Sequence, residues 1–251
     1  MLTFLYICLH IGSDDHLIEK ILNPNYPQGA SDTFRDLQNV IKRSNTSAVA
    51  WVGEAGGAWN SGQNLVTNSF VFSFWYLDQL GLASSFDTKT YCRQALIGGN
   101  YGLLDTTSFV PNPDYYSALL WHRLMGRNVL STRVSGSDKL RAYAHCSKNY
   151  PRITLLFLNL DGKTTFEVNP YVENGISNKT SSAFREEYHL TGEDGNLQSK
   201  KVVLNGKTLT VGKAGSIPSL EPVRMKHSHP IIVAPFSIVF VVINIKVPAC
   251  S

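Results

Sequence analysis

The sequence predicts a chain of two characters, α/β in its first half and all-β in its second, and three observations carry that reading. Between Ser31 and Gly126, helix-period and strand-like stretches alternate. After Gly126 the apolar period drops to two. Within the second half, Asn205-Gly206 stands between two short apolar runs, the strongest short-range hairpin signal in the chain.

The first half reads as follows. Met1 to Leu9 is mostly apolar but lacks a basic flank and a small-residue cleavage site, so it predicts a buried strand better than a signal peptide. His16 to Ile21 is helix-like. Asp32 is placed to cap a helix with Phe34, Leu37, Val40 and Ile41 on one face, ending at Ser44 to Ser47. Ala48 to Val52 is a short apolar strand. Val66 to Leu80 predicts a helix with Val66, Phe70, Phe74 and Leu77 on one stripe and Gly81 past its end. Gln94 to Ile97 reads as a strand ending at Gly98-Gly99. Asn112-Pro113-Asp114 opens a third helix, with Leu119, Leu120 and Leu124 inward and Gly126 at its exit. Such alternation serves a parallel α/β sheet or an α/β barrel.

In the second half, Leu140 to Cys146 alternates small or apolar residues with Arg141, Tyr143 and His145, as a half-buried strand does. Ile153 to Leu160 is a nearly continuous apolar strand. Val202 to Leu204 and Lys207 to Val211 flank the Asn-Gly turn. With Phe166 to Val168, Phe184 to Leu190 and Phe236 to Ile245, these predict an all-β sandwich. The two domains are expected at 1–126 and 127–251.

Composition excludes several classes. With 251 residues and 43% apolar content the chain can bury a core. Its net charge of +4 is spread thinly, the densest pieces being Lys42-Arg43 and Lys200-Lys201, which excludes a nucleic-acid stripe and leaves a mild pull on acidic substrates. The longest apolar stretch, Ile231 to Ile245, is broken by Pro235, Ser237 and Asn244 and predicts sheet core, not a membrane span. The cysteines, at 8, 92, 146 and 250, show no CxxC spacing, against zinc and thioredoxin-type chemistry. Cys92 is expected to be a buried small apolar residue. His227 and His229 share a strand face without a third ligand of suitable spacing, so no metal and no cofactor is expected. His122 and His145 are read as surface or hydrogen-bonded structural residues. Asn45 and Asn178 begin sequons that suit a secreted chain.

Chemistry concentrates in Trp51-Val52-Gly53-Glu54-Ala55-Gly56-Gly57-Ala58-Trp59. A carboxylate at the end of an apolar strand, followed by small residues that leave room for a ligand, has the form of a barrel active site. Trp51, Trp59, Asn60, Ser61 and Tyr101 supply flat rings and polar groups for a sugar. On the residues alone, a loop-capping Glu54 with core aromatics is the reading the pattern favours.

Several longer pieces resemble glycoside hydrolase family 79, and in particular its plant heparanase-like members: AVAWVGEAGGAWNSG (48–62), FSFWYLDQLGLAS (72–84), YCRQALIGGNYGLLD (91–105), PDYYSALLWHRLMG (113–126) and LRAYAHC (140–146). The resemblance runs from about Gly12 to Ser251 and implies the last three or so strand-helix units, the C-terminal portion, of a (β/α)8 TIM barrel, followed by a β-sandwich. It implies a retaining endo-β-glucuronidase acting on glucuronic-acid-containing polysaccharides or glycosides, with Glu54 as nucleophile. It puts the backbones of Asn60 and Ser61 and the side chain of Tyr101 around the substrate carboxylate, Gly99 close to the sugar, and Trp59 beside the cleft. It implies a Cys146–Cys250 disulfide and, with the sequons, a secreted, extracellular or vacuolar location that leaves room for peripheral membrane association.

The chain also departs from the family. Trp59 stands where a Tyr is common, and Asn60 and Ser61 where the animal enzymes have glycines. The family's acid/base glutamate follows an Asn on an upstream strand, and no Asn-Glu pair occurs here; Glu19 alone precedes Glu54. The expectation is therefore a chain lacking the barrel's first half, with Met1 to His10 outside the resemblance, inactive or nearly so by itself. The competing expectation is a non-catalytic glycan-binding or regulatory fragment.

Overall fold

The computed structural model describes residues 3–26, 28–148, 151–172, 183–245 and 247–250. The sequon at Asn178 lies outside these residues. The chain divides into two compact units, residues 1–118 with 196–201 and residues 119–195 with 202–251.

The first unit opens with strand β1 (Thr3–Ile11), helices α1 (Leu17–Leu22) and α2 (Gln28–Arg43), strand β2 (Ala50–Trp59), helix α3 (Val71–Ser85) and strand β3 (Thr90–Arg93). The strands form a parallel sheet in the order β1-β2-β3, with β2 central. Helix α3 is predominantly apolar and is buried on every side from Val71 to Ala83, Asp78 and Gln79 included. Such a helix must be covered on every side. Phe72 and Trp75 reach the sheet at Gly57, where a β-carbon would stand 2.5 Å from the Phe72 ring. Helix α2 is amphipathic and contributes Phe34, 1% exposed and stacked on Phe86 with ring centroids 6.5 Å apart.

Helix α4 (Pro113–Leu124) runs straight into β4 (Met125–Leu130). The second unit continues with β5 (Leu140–Ser147), β6 (Ile153–Asn159), β7 (Phe166–Val168), β8 (Phe184–Gly192), β9 (Val202–Leu204), β10 (Lys207–Thr208), β11 (Val223–Lys226), β12 (Ile231–Val233) and β13 (Ile238–Ile243). An antiparallel sheet has the order β10-β9-β8-β13-β6-β5-β4, with β11 also paired to β8; β12 and β7 form a second, two-stranded sheet. Strands β6 and β13 are buried at every position, which is why both read as continuous apolar runs. Ile231 and Val233 of the small sheet share one apolar cluster with Leu155, Phe157, Val239, Val241 and Ile243 of the large one. A disulfide joins Cys146 to Cys250 in that cluster.

Several sequence expectations are corrected. Asp32 is no cap: α2 starts at Gln28, and Asp32 instead pairs with Arg35 at 2.6 Å. Val40, placed on the inner face, is 62% exposed. The helix expected from Val66 begins at Val71, because Leu65 is left-handed (φ 59°) and the Thr67 and Ser69 hydroxyls donate to local carbonyls in a separate turn. The strand expected at Gln94 to Ile97 is Thr90–Arg93; Leu96 and Ile97 are exposed loop residues. Cys92 is exposed, not buried, since its neighbours rather than itself face the core. The division between the compact units falls inside α4, which continues without a break into β4, and Asn196–Lys201 belongs to the first unit.

Candidate functional site

Glu54 lies in the middle of β2 rather than at its end, since Ala55, Gly56, Gly57 and Ala58 stay extended and keep pairing with β1 through Ile11. Pairing with β3 does stop there, at Ala55 opposite Arg93. Both partner strands shift register around this point. The Glu54 side chain is exposed, among buried small residues that leave its surroundings open.

Strand β2 ends at Trp59, whose side chain is 52% exposed and whose carbonyl accepts the Gly12 N–H at 2.9 Å. The chain then turns through three left-handed residues, Asn60 (φ 56°), Ser61 (φ 65°) and Gly62 (φ 72°). This turn packs directly on the loop after β3. Asn100 N–H donates to the Ser61 carbonyl at 2.6 Å. A β-carbon on Gly99 would lie 2.8 Å from that carbonyl and 3.0 Å from Ser61 Cα, so only glycine allows this approach. The structure thus brings Asn60, Ser61, Gly99 and Tyr101 into one place.

The residues that hold this arrangement were not evident in the sequence. Arg93, the last residue of β3, is 4% exposed at its side chain and pairs with Asp114, 1% exposed, at 2.9 Å. Its Nη2 also donates to the Tyr101 carbonyl at 2.7 Å, and its Nη1 to the Gln94 carbonyl, with longer contacts of 3.5 Å to the carbonyls of Ala55 and Gly56. The rings of Phe72, Trp75 and Tyr76 surround the guanidinium with centroids 5.2, 5.3 and 5.0 Å away. Burial pushes the Asp114 carboxyl above the usual carboxylate range, against the opposing pull of Arg93. Burial likewise pushes Tyr76 up to about 12 and raises Tyr91, in both cases against Arg93. A charged residue inside the short run Tyr91-Cys92-Arg93-Gln94 was the one available sign, and it carries no motif.

Other sequence candidates separate from this site. Asn45 is exposed in the left-handed turn after α2, accessible as a sequon requires. His145 is buried, bonded through Nδ1 to the Gly126 carbonyl at 2.7 Å and edge-on to Trp121. Among the described residues, no three His, Cys, Asp or Glu side chains come together as a metal site, and no helix is long and apolar enough to cross a membrane.

A helix-backed parallel sheet followed by an antiparallel unit is an arrangement also found in solved glycoside hydrolases. The solved 4-O-α-L-rhamnosyl-β-D-glucuronidase of Fusarium oxysporum shares it with a TM-score of 0.70 at 15% identity, over 96% of this chain and 52% of that one. The chain is similar to the plant heparanase-like members of glycoside hydrolase family 79. The profile described as "Glycosyl hydrolase family 79, N-terminal domain" matches residues 2–81, so the opening residues, expected outside the resemblance, are part of the match. Heparanase-like protein 3 of Arabidopsis thaliana is 54% identical over 96% of this chain and 48% of its own length. Baicalin-beta-D-glucuronidase of Scutellaria baicalensis is 47% identical over 92% of this chain and 43% of its own length. The chain spans about half the length of these curated relatives.

Proposed function

We propose that this chain carries the nucleophile side of a retaining β-glucuronidase site, for glucuronic-acid-containing glycans or glucuronides. Its first unit is then the closing strand-helix portion of a (β/α)8 barrel and its second a β-sandwich. The observation that carries the reading is the contact of Ser61 with Gly99 and Asn100, one strand-end away from an exposed Glu54. Successive amides of a tight turn such as Asn60–Gly62 face one side and suit an anion. The uronate carboxylate would be held there with the Tyr101 hydroxyl, with Trp59 offering a ring to the sugar.

In this mechanism a Glu54 oxygen attacks the anomeric carbon, the C1–O bond to the leaving group breaks, and water later cleaves the glycosyl ester. A second carboxyl about 5–5.5 Å away would protonate the leaving group. The sequence holds no Asn-Glu pair to supply it, so turnover of unactivated substrates by this chain is expected at background, about 10²- to 10⁴-fold below an assisted reaction. The buried Cys146–Cys250 disulfide supports an oxidising compartment, secreted or vacuolar.

The test needs no acid catalyst. On incubation with 2-deoxy-2-fluoro-β-D-glucuronyl fluoride, Glu54 should displace fluoride and retain the sugar as an ester, located by peptide mass spectrometry. Glu54→Gln should remain unlabelled. An adduct on another residue, or none while the sugar binds, rejects Glu54 as nucleophile; binding alone favours a non-catalytic glycan-binding role.

A further inference from the structure

We infer that Arg93 is the positioning residue that sets the Tyr101 loop against the Glu54 strand, so that uronate recognition at this site depends on a guanidinium that never touches the sugar. The inference rests on the glucuronide reading above and adds the means by which the subsite is preformed. One guanidinium reaches three parts of the first unit: the β2 carbonyls next to Glu54, the Tyr101 carbonyl, and Asp114 in the first turn of α4. The Ser61–Asn100 bond ties the same loop to the turn after β2, so displacement of Tyr101 would also disturb Asn60 and Ser61.

The chemistry favours arginine at this position. Its planar fork can serve several acceptors in fixed directions, whereas a lysine ammonium on a flexible stem cannot span them. Three aromatic rings exclude water from its faces and hold the plane still. A buried ion pair is often no more stabilising than apolar residues of similar volume. Its value here is geometric, since an error of about 1 Å in a site can cost on the order of 10²-fold in reaction rate.

The experiment compares wild type, Arg93→Lys and the double variant R93M/D114L, which removes both charges together so that neither is left buried alone. Binding of 4-nitrophenyl β-D-glucuronide and of the uncharged 4-nitrophenyl β-D-glucoside is measured by calorimetry, beside Tm. Labelling by the fluoro-glucuronyl fluoride is resolved into half-saturating concentration and limiting rate. The expected result is a tenfold or greater loss of glucuronide affinity and a matching rise in half-saturating concentration, with glucoside affinity changed less than threefold. A folded R93M/D114L that keeps the wild-type preference for glucuronide overturns the inference and leaves the proposed function standing. Equal weakening of both sugars in step with Tm assigns Arg93 a structural role and also overturns it. A wild type that shows no preference for the glucuronide overturns it as well. Selective loss of glucuronide affinity in the variants, with no Glu54 label in wild type, supports the positioning role and rejects the nucleophile alone.

Discussion

Opening the Cys146–Cys250 disulfide should cost a large part of the second unit's stability. The bond spans 104 residues of sequence. In the chain-entropy model a loop of that length restricts the unfolded state by about 4.7 kcal/mol at 25 °C. Both sulfurs are buried, at 0% and 1% exposure, and sit in the apolar cluster between the two sheets. Reduction therefore leaves two small apolar thiols in place and removes little packing, so the loss is chiefly that of the cross-link. Against a typical domain stability of about 5–15 kcal/mol, that is between about a third and nearly all of the total. The assay is urea unfolding of oxidised and reduced protein, with Cys146→Ala/Cys250→Ala as a permanent open form. Trp121, edge-on to His145 beside Cys146, provides a near-ultraviolet dichroism signal inside this unit. Opening the loop should lower the midpoint and raise the urea dependence, because the unfolded chain expands. A loss under about 1 kcal/mol with unchanged urea dependence would refute the reasoning.

Three further predictions rest on packing and charge. Gly57→Ala should destabilise by roughly 2–5 kcal/mol, the sum of overpacking and left-handed strain, because its φ is 77° and its β-carbon would meet Phe72 at 2.5 Å and Trp75 at 2.9 Å. Gly29→Ala in α2, with nothing within 4 Å, should instead stabilise by roughly 0.5–1 kcal/mol, both variants being read by urea unfolding against wild type. Glu187 is one pH-sensitive group of the second unit: burial raises its pKa, but hydrogen bonds from His189 (2.6 Å) and Arg185 (2.5 Å) outweigh that and hold it below the usual value. Its stabilisation is therefore present above the unfolded carboxylate pKa and is lost as pH falls through the lower folded value. Urea midpoints from pH 6 downward should fall more steeply for wild type than for Glu187→Gln; equal slopes would exclude this group.

Much of this architecture was legible because period and punctuation agreed. The Val66, Phe70, Phe74, Leu77 stripe located α3, Pro113 opened α4, and Asn205-Gly206 marked the turn between β9 and β10. Errors arose where a local signal lost to a distant partner. Gln94 to Ile97 looked more like a strand than Thr90–Arg93, because nothing local tells that a guanidinium will be buried under three rings. Strands β11 and β12 are short and partly exposed, and β4 follows α4 without a turn, so none offered a period of its own. At the site, Glu54 stood out as a carboxylate among glycines and alanines. Arg93 and Asp114 did not, because their meeting depends on the path of the chain between them.

The N-terminus of α3 has a consequence for how the protein is made. Its first free amides, Phe70 and Val71, donate to the carbonyls of Ser199 and Leu197 at 2.9 and 2.8 Å. On a ribosome adding about 5–20 residues per second, those acceptors emerge roughly 6–25 s after the helix they complete. Through that interval the most apolar helix of the chain waits with its end uncapped, and the strands β4 to β8 must be synthesised before the first unit can close. The nascent chain's dependence on holding chaperones should thus peak before residue 199 leaves the exit tunnel and fall once it has.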